Sequence, residues 1–217
     1  MRAKAFKAVV FTAAVSALVL ASVAAAAAIN GTSGNDTLRG TRGADAISAY
    51  QGNDTIDALP GADLVRAGSG DDTAWGGEGS DLVYGGVGND RLGGGEGQDV
   101  IWGGSGDDAI TGGSGDDNLH GGSGNDTVSG GNRSDSLWGG TGADVLHGGT
   151  GDDRLHALAG DGQRDVLDCG PGFDTAFVLD SERSITTFRG CERIVIETAP
   201  TAQDAADNAD NNDQADS

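Results

Sequence analysis

The chain has 217 residues, a formal net charge of −21, 40 glycines and only 5% aromatic residues. Low apolar content with high net charge is the composition of a chain that stays disordered in water unless something besides a hydrophobic core orders it. So much carboxylate repels a phosphate backbone, which excludes nucleic acid as a partner, and makes a cation the natural counterpart.

In chain order, the first feature is a basic start, Arg2, Lys4 and Lys7, followed by an uncharged run over residues 8–28. The run ends in small residues, Ser22-Val23-Ala24-Ala25-Ala26-Ala27-Ala28. This is the pattern of a secretory signal peptide over residues 1–28, cleaved between Ala24 and Ala28. The run is long enough to span a membrane, but its alanine-rich end suits a peptidase better. The mature chain is then extracellular, with no membrane association and a charge of −24, because the lost segment holds three basic residues and no acid.

Residues 29–156 are dominated by a nine-residue period that starts at Gly31. The sixth position reads Asp36, Asp45, Asp54, Asp63, Asp72, Asp81, Asp90, Asp99, Asp108, Asp117, Asp126, Asp135, Asp144 and Asp153. The fourth is glycine from Gly34 to Gly151, with Arg133 the exception. The eighth is aliphatic or alanine throughout, from Leu38 to Leu155. Disordered sequence does not hold three columns in phase over so many units. Positions one to six form a turn, because glycine reaches backbone angles that other residues avoid. Positions seven to nine form a short strand whose middle side chain points inward and whose neighbours point outward. The pattern weakens where units 49–57 and 58–66 open Ala49-Tyr50 and Ala58-Leu59 in place of Gly-Gly.

These units resemble the haemolysin-type (RTX) calcium-binding nonapeptide, G-G-x-G-x-D-x-U-x with U a large apolar residue. The resemblance covers residues 31–156. It implies an all-β fold, a right-handed parallel β-roll with two short-stranded parallel sheets and two nonapeptides per coil. It also implies calcium in the turns, held by the fourteen aspartates named above. The residues support the same ion. Stacked units place aspartates about 5–10 Å apart along each edge, where they repel until a cation intervenes. Calcium takes six to eight oxygens in a flexible geometry and accepts carbonyls beside carboxylates; magnesium is stricter. Fourteen units linked two apart leave room for several ions, up to twelve.

Residues 157–197 continue irregularly. Asp161-Gly162-Gln163 interrupts the phase, after which Asp165 and Leu167 take positions six and eight. A last unit runs from Cys169 through Asp174 to Phe177. Apolar runs at 177–179, 185–188 and 194–196 predict strands of a small C-terminal β cap that closes the open end of the roll. Cys169 and Cys191 are the only cysteines, and an even count in a secreted chain predicts a disulfide between them. Residues 198–217, rich in Ala, Asp and Asn and free of Lys and Arg, read as a disordered acidic tail.

Catalytic motifs are missing: there is no H-E-x-x-H, G-x-S-x-G or Walker loop. His120, His147 and His156 all fall at position nine, and the aspartates are equivalent to one another, so the chain reads as a ligand array and not as an enzyme. Two roles fit: a secreted calcium-binding module with a structural or buffering role, or an extracellular adhesin. The second draws on one face. Tyr84, Trp102, His120, Trp138 and His156 occupy position nine of successive coils, beside Leu64, Leu82 and Val100 at position seven. Strands about 4.8 Å apart would stack these rings in a ladder. Such a face could meet a cell-wall glycan or, in a homo-oligomer, a second copy of the chain.

Overall fold

The computed structural model describes residues 18–20 and 26–198. Most of the expected signal segment and nearly all of the expected tail lie outside the described residues. Within them the chain is all-β. Twenty strands, numbered in chain order from β1 (Leu18–Leu20) and β2 (Ala28–Asn30) to β19 (Thr187–Arg189) and β20 (Arg193–Glu197), form two ten-stranded parallel sheets. Odd-numbered strands make one sheet and even-numbered strands the other. Each strand therefore pairs with the strand two further on, and the chain alternates between sheets in a two-layer β-solenoid, as in a parallel β-roll. The pairing keeps the nonapeptide register: Ile101 lies opposite Val83 and Leu119, and Trp102 opposite Tyr84 and His120.

This register stacks every position-eight side chain into one continuous core. Leu38, Ile47, Ile56, Val65, Ala74, Val83 and their successors to Leu155 are all buried. The core is thus one residue wide per strand. One aliphatic group for nine ordered residues is a thin hydrophobic return against the conformational entropy lost, so the turns must contribute stability of their own.

The turns bend tightly because positions two and four adopt left-handed backbone, as at Gly86 (φ 114°) and Gly88 (φ 133°). Side chains added there would run into the carbonyls of the preceding coil. Three non-glycine residues keep the conformation and carry the strain, Tyr50 (φ 78°), Leu59 (φ 73°) and Arg133 (φ 81°), whereas Thr32 and Thr41 at position two do not adopt it.

The C-terminal segment does not form a separate small layer. Strands β17 (Val166–Asp168) and β18 (Thr175–Leu179), with β19 and β20, extend the same two sheets. The three-residue insertion loops out, and pairing resumes with Leu146 opposite Leu167. Of the predicted strand at 185–188, Ile185 belongs to a turn and the strand starts at Thr187. Cys169 and Cys191 are bridged, with Cα atoms 5.1 Å apart. The bridge joins the last coils across a separation of 22 residues, worth about 3 kcal/mol on the chain-entropy account.

Candidate metal centre

Each position-six aspartate sits where its turn enters a strand, and all fourteen are buried. Stacking places them in two columns, one along each edge of the roll. Within a column they are joined by one repeated hydrogen bond: the backbone N–H of each aspartate donates to Oδ1 of the aspartate one coil further on. Asp90 N–H reaches Asp108 Oδ1 at 2.7 Å, and Asp99 N–H reaches Asp117 Oδ1 at 2.9 Å. The columns run past the fourteen residues read from the sequence. Asp144 donates to Asp165 Oδ1 (3.0 Å), Asp153 to Asp174 Oδ1 (2.8 Å) and Asp174 to Glu192 Oε2 (2.9 Å).

The second carboxylate oxygen distinguishes three zones. In the first coil it is satisfied within the turn: Thr32 N–H (2.5 Å) and Oγ1–H (3.0 Å) donate to Asp36 Oδ2, and Thr41 does the same for Asp45. From Asp54 onward Oδ2 is buried without a hydrogen-bond partner, at Asp54, Asp63, Asp72, Asp81, Asp90, Asp99, Asp108, Asp117, Asp126, Asp135, Asp153 and Asp174. An acceptor in this state is costly and asks for a ligand. The zones then divide on what faces it. From Gly76 to Gly148, position one is glycine, and a Cβ built there would collide with Oδ2 of the same unit's aspartate. At Gly85, Gly103 and Gly121 it would also meet the carbonyl oxygen two units on, that of Gly103, Gly121 and Gly139 respectively. At these three positions a carboxylate and a carbonyl oxygen converge on the glycine, where no side chain stands. At Ala49, Ala58 and Ala67 a methyl group stands at the same position, fully buried.

The electrostatics of the columns are set by burial. Burial raises these carboxyls above their ordinary 3.8, against the opposing effect of the backbone N–H bond. Asp54, Asp63, Asp81, Asp117 and Asp153 move to about 6, Asp72, Asp90 and Asp126 to about 7, and Asp108, Asp135 and Asp144 to about 8. Repulsion from neighbouring aspartates adds to burial; Asp126, Asp90 and Asp107 all act on Asp108.

Among the described residues no three His, Cys, Asp or Glu side chains gather into one metal-holding group. A soft or borderline ion that needs three or four such ligands does not fit. A hard ion that completes its shell from main-chain carbonyls does. The residues that would hold calcium are the aspartates from Asp81 to Asp153, with the carbonyls beside their position-one glycines.

The aromatic row forms as expected and is longer by one ring. Tyr84, Trp102, His120, Trp138, His156 and Phe177 stack with centroids 4.4–5.3 Å apart and planes within 13°. The Arg66 guanidinium lies over Tyr84, 5.7 Å from its centroid. His120 is buried between two indoles, and burial lowers it from 6.5 to about 4, so it is neutral. Leu64, Leu82 and Val100 are half-buried alongside. On the odd sheet Trp75 is half exposed and lies over Gly93.

A further ladder, which the sequence reading does not include, runs outside one aspartate column. Position-five side chains accept from the backbone N–H one coil on: Asn35 from Asn53 (2.9 Å), Asn53 from Asp71 (3.2 Å), Asp71 from Asn89 (2.9 Å) and Asn89 from Asp107 (2.7 Å). The recurrence of Asn or Asp at every second position five, from Asn35 to Asn125, was its signal.

A family model for the RTX calcium-binding nonapeptide repeat matches the chain in four copies, over residues 30–65, 58–92, 93–128 and 129–163. No curated protein matches the chain.

Proposed function

The chain belongs to the RTX calcium-binding nonapeptide repeat family, and from that premise we propose that it is a secreted, non-enzymatic calcium-binding protein whose roll folds as ions fill its glycine cradles. One observation carries the reading: the file of buried Oδ2 atoms without partners, eight of which, from Asp81 to Asp135 and at Asp153, lie against a position-one glycine. A bound calcium supplies a doubly positive, hard centre for these oxygens. The chain's own residues do the rest. Oδ1 holds each aspartate to the coil before it, glycine at position one keeps the space open, and the turn presents its carbonyls.

The nine cradles from Gly76 to Gly148 set the occupancy below the twelve that unit counting allows. The first coil, closed by Thr32 and Thr41, and the units opening with Ala49, Ala58 and Ala67 take no ion in this reading. Export is supported by the basic and apolar start of the sequence and by the disulfide. Ala27 N–H donates to Asp45 Oδ1 (2.7 Å) and its carbonyl accepts from Ala46 (2.8 Å), which favours cleavage before Ala27. The role is structural or buffering, with affinity in the extracellular range of about 10⁻⁴–10⁻³ M.

The adhesin alternative finds little support in the aromatic row. Sugar rings dock on exposed aromatic faces. Here each ring lies against the next and Arg66 covers the Tyr84 end, so the row presents edges and reads as a cross-strand brace.

The test is circular dichroism of the mature chain in EGTA and in millimolar calcium. The expected result is a disordered spectrum that becomes β-rich with calcium. Identical spectra in the two conditions would overturn the proposal.

A further inference from the structure

We propose that one aspartate column ends in an additional calcium site, outside the nonapeptide repeats, built from Asp165 and Glu182. The inference rests on the calcium-binding reading of the array.

Asp165 belongs to the column despite the insertion before it, since its Oδ1 accepts from Asp144 N–H at 3.0 Å. Its carbonyl accepts from Thr187 N–H at 2.8 Å, as Asp36 does from Thr55 one coil apart. The next coil should then supply an aspartate just before Thr187. The residue there is Thr186, which cannot supply a charge.

A carboxylate arrives from a different place. The turn after β18 folds back on itself: Glu182 N–H donates to the Leu179 carbonyl, and the Glu182 carbonyl accepts from Ile185, Thr186 and the Thr186 hydroxyl, all at 2.9–3.1 Å. This holds the Glu182 side chain under the end of the roll, only 2% exposed. Its Oε1 accepts from Gly162 N–H in the insertion loop at 3.0 Å. Its Oε2 is buried and has no hydrogen-bond partner. Among the described residues no lysine or arginine forms an ion pair with it. Glu182 stands close enough to Asp165 for its charge to oppose Asp165 ionisation. The neighbouring Asp161 offers no relief and is already engaged, with Oδ2 accepting from Gly142 N–H (2.5 Å) and Oδ1 from Gln163 N–H (2.8 Å).

Two buried acidic groups, one of them with a carboxylate oxygen that has no hydrogen-bond partner, fit one hard divalent ion. The ion would tie together the insertion loop, the last coils and the turn at 180–185. Glu182 thus replaces the aspartate that the column lacks, and calcium would close the C-terminal end of the roll as well as its edges.

The experiment compares the mature chain with Glu182→Gln, which retains the acceptor for Gly162 and removes the charge. Native mass spectrometry at saturating calcium counts ions, and trypsin cleavage at Arg164 and Arg183 reports closure. E182Q should hold one ion fewer and should need more calcium to protect both arginines. An unchanged ion count, or protection at equal or lower calcium, overturns the proposal. If E182Q does not fold, Glu182→Asp decides: one ion fewer, or protection of both arginines shifted to higher calcium, supports the site, and an unchanged ion count with protection at the wild-type calcium concentration overturns it. A wild-type chain that binds no calcium at all would instead refute the family-based reading of the whole array.

Discussion

Asp108 is the position at which two roles of one carboxylate can be separated. Its Oδ1 accepts from Asp90 N–H at 2.7 Å, and its Oδ2 faces Gly103 and the Gly121 carbonyl with no donor. Asparagine has the same shape. It keeps the Oδ1 bond and turns an amide N–H₂ toward a carbonyl that can accept from it. Asp108→Asn should therefore act with opposite signs in the two states. Without calcium, burial holds the Asp108 carboxyl at about 8 against an ordinary 3.8. At about pH 7 such a group opposes folding by on the order of 4 kcal/mol, because it must take up a proton or lose its hydration as an ion. The amide removes that opposition, so the calcium-free roll becomes more stable. With calcium, the variant loses a site. At free calcium of about 10–100 times Kd that site contributes about 1.4–2.7 kcal/mol.

Folding driven by trimethylamine N-oxide, an excluded osmolyte that favours burial, makes both limbs measurable by circular dichroism. In EGTA, D108N should fold at lower osmolyte concentration than the wild type. Across a calcium series, its stability should rise less steeply with the logarithm of calcium, by about one ion. The two lines should converge as calcium rises, and meet only near about 1,000 times Kd, where one site contributes about 4 kcal/mol. A variant that needs more osmolyte in EGTA and keeps the wild-type calcium slope would show that Oδ2 is not a cation ligand and that the carboxylate is purely structural.

The cradle itself can be closed and opened: Gly103→Ala, with a methyl against Asp108 Oδ2 and the Gly121 carbonyl, should lose one ion by native mass spectrometry, and Ala67→Gly, beside the unpartnered Asp72 Oδ2, should gain one. The pH dependence has a definite sign, because Asp54 and Asp63 (about 6), Asp90 and Asp126 (about 7) and Asp135 and Asp144 (about 8) all lie above 3.8 in the folded chain. Their contribution to calcium-free stability is complete below about 3.8 and is lost as pH rises through 6 to 8, so the osmolyte midpoint in EGTA should fall on acidification from about pH 8 to 5, with His120 opposing weakly below its ordinary 6.5; in excess calcium, protons compete with the ion and the trend should reverse.

Much of this architecture is legible in three columns of the sequence. Position eight defines the core, and every member from Leu38 to Leu155 is buried. Position six defines the two edge columns, and position nine the aromatic stack. What is hidden depends on local departures from the period. The insertion 161–163 shifts the spacing within a column from 18 residues to 21, so Asp165 and Asp174 keep their places in space but not in phase. Phe177 joins the stack for the same reason. Glu182 carries no periodic signal, because it reaches its position from a turn and not from a strand. The difference between Ala67 and Gly76 is only one methyl group in the sequence, yet it decides whether a buried carboxylate faces space or a side chain.

The same departures give the roll unequal ends and a dependent middle. Nearly every stabilising contact runs along one axis, from a coil to the next: strand pairing, the N–H to Oδ1 ladder, the ring stack. In such a quasi-one-dimensional object, stability is a sum over neighbouring interfaces, and order spreads from wherever an interface is already favourable. At the N-terminal end Thr32 and Thr41 satisfy Asp36 and Asp45 internally, so those turns need no ion. At the C-terminal end the Cys169–Cys191 bridge reduces the freedom of the unfolded chain before any ion binds. Between them, eight aspartates from Asp81 to Asp153, all but Asp144, bring carboxyl groups into the interior with no donor for Oδ2. In the proposed reading, order spreads from the ends, and calcium would act on the segment that separates them.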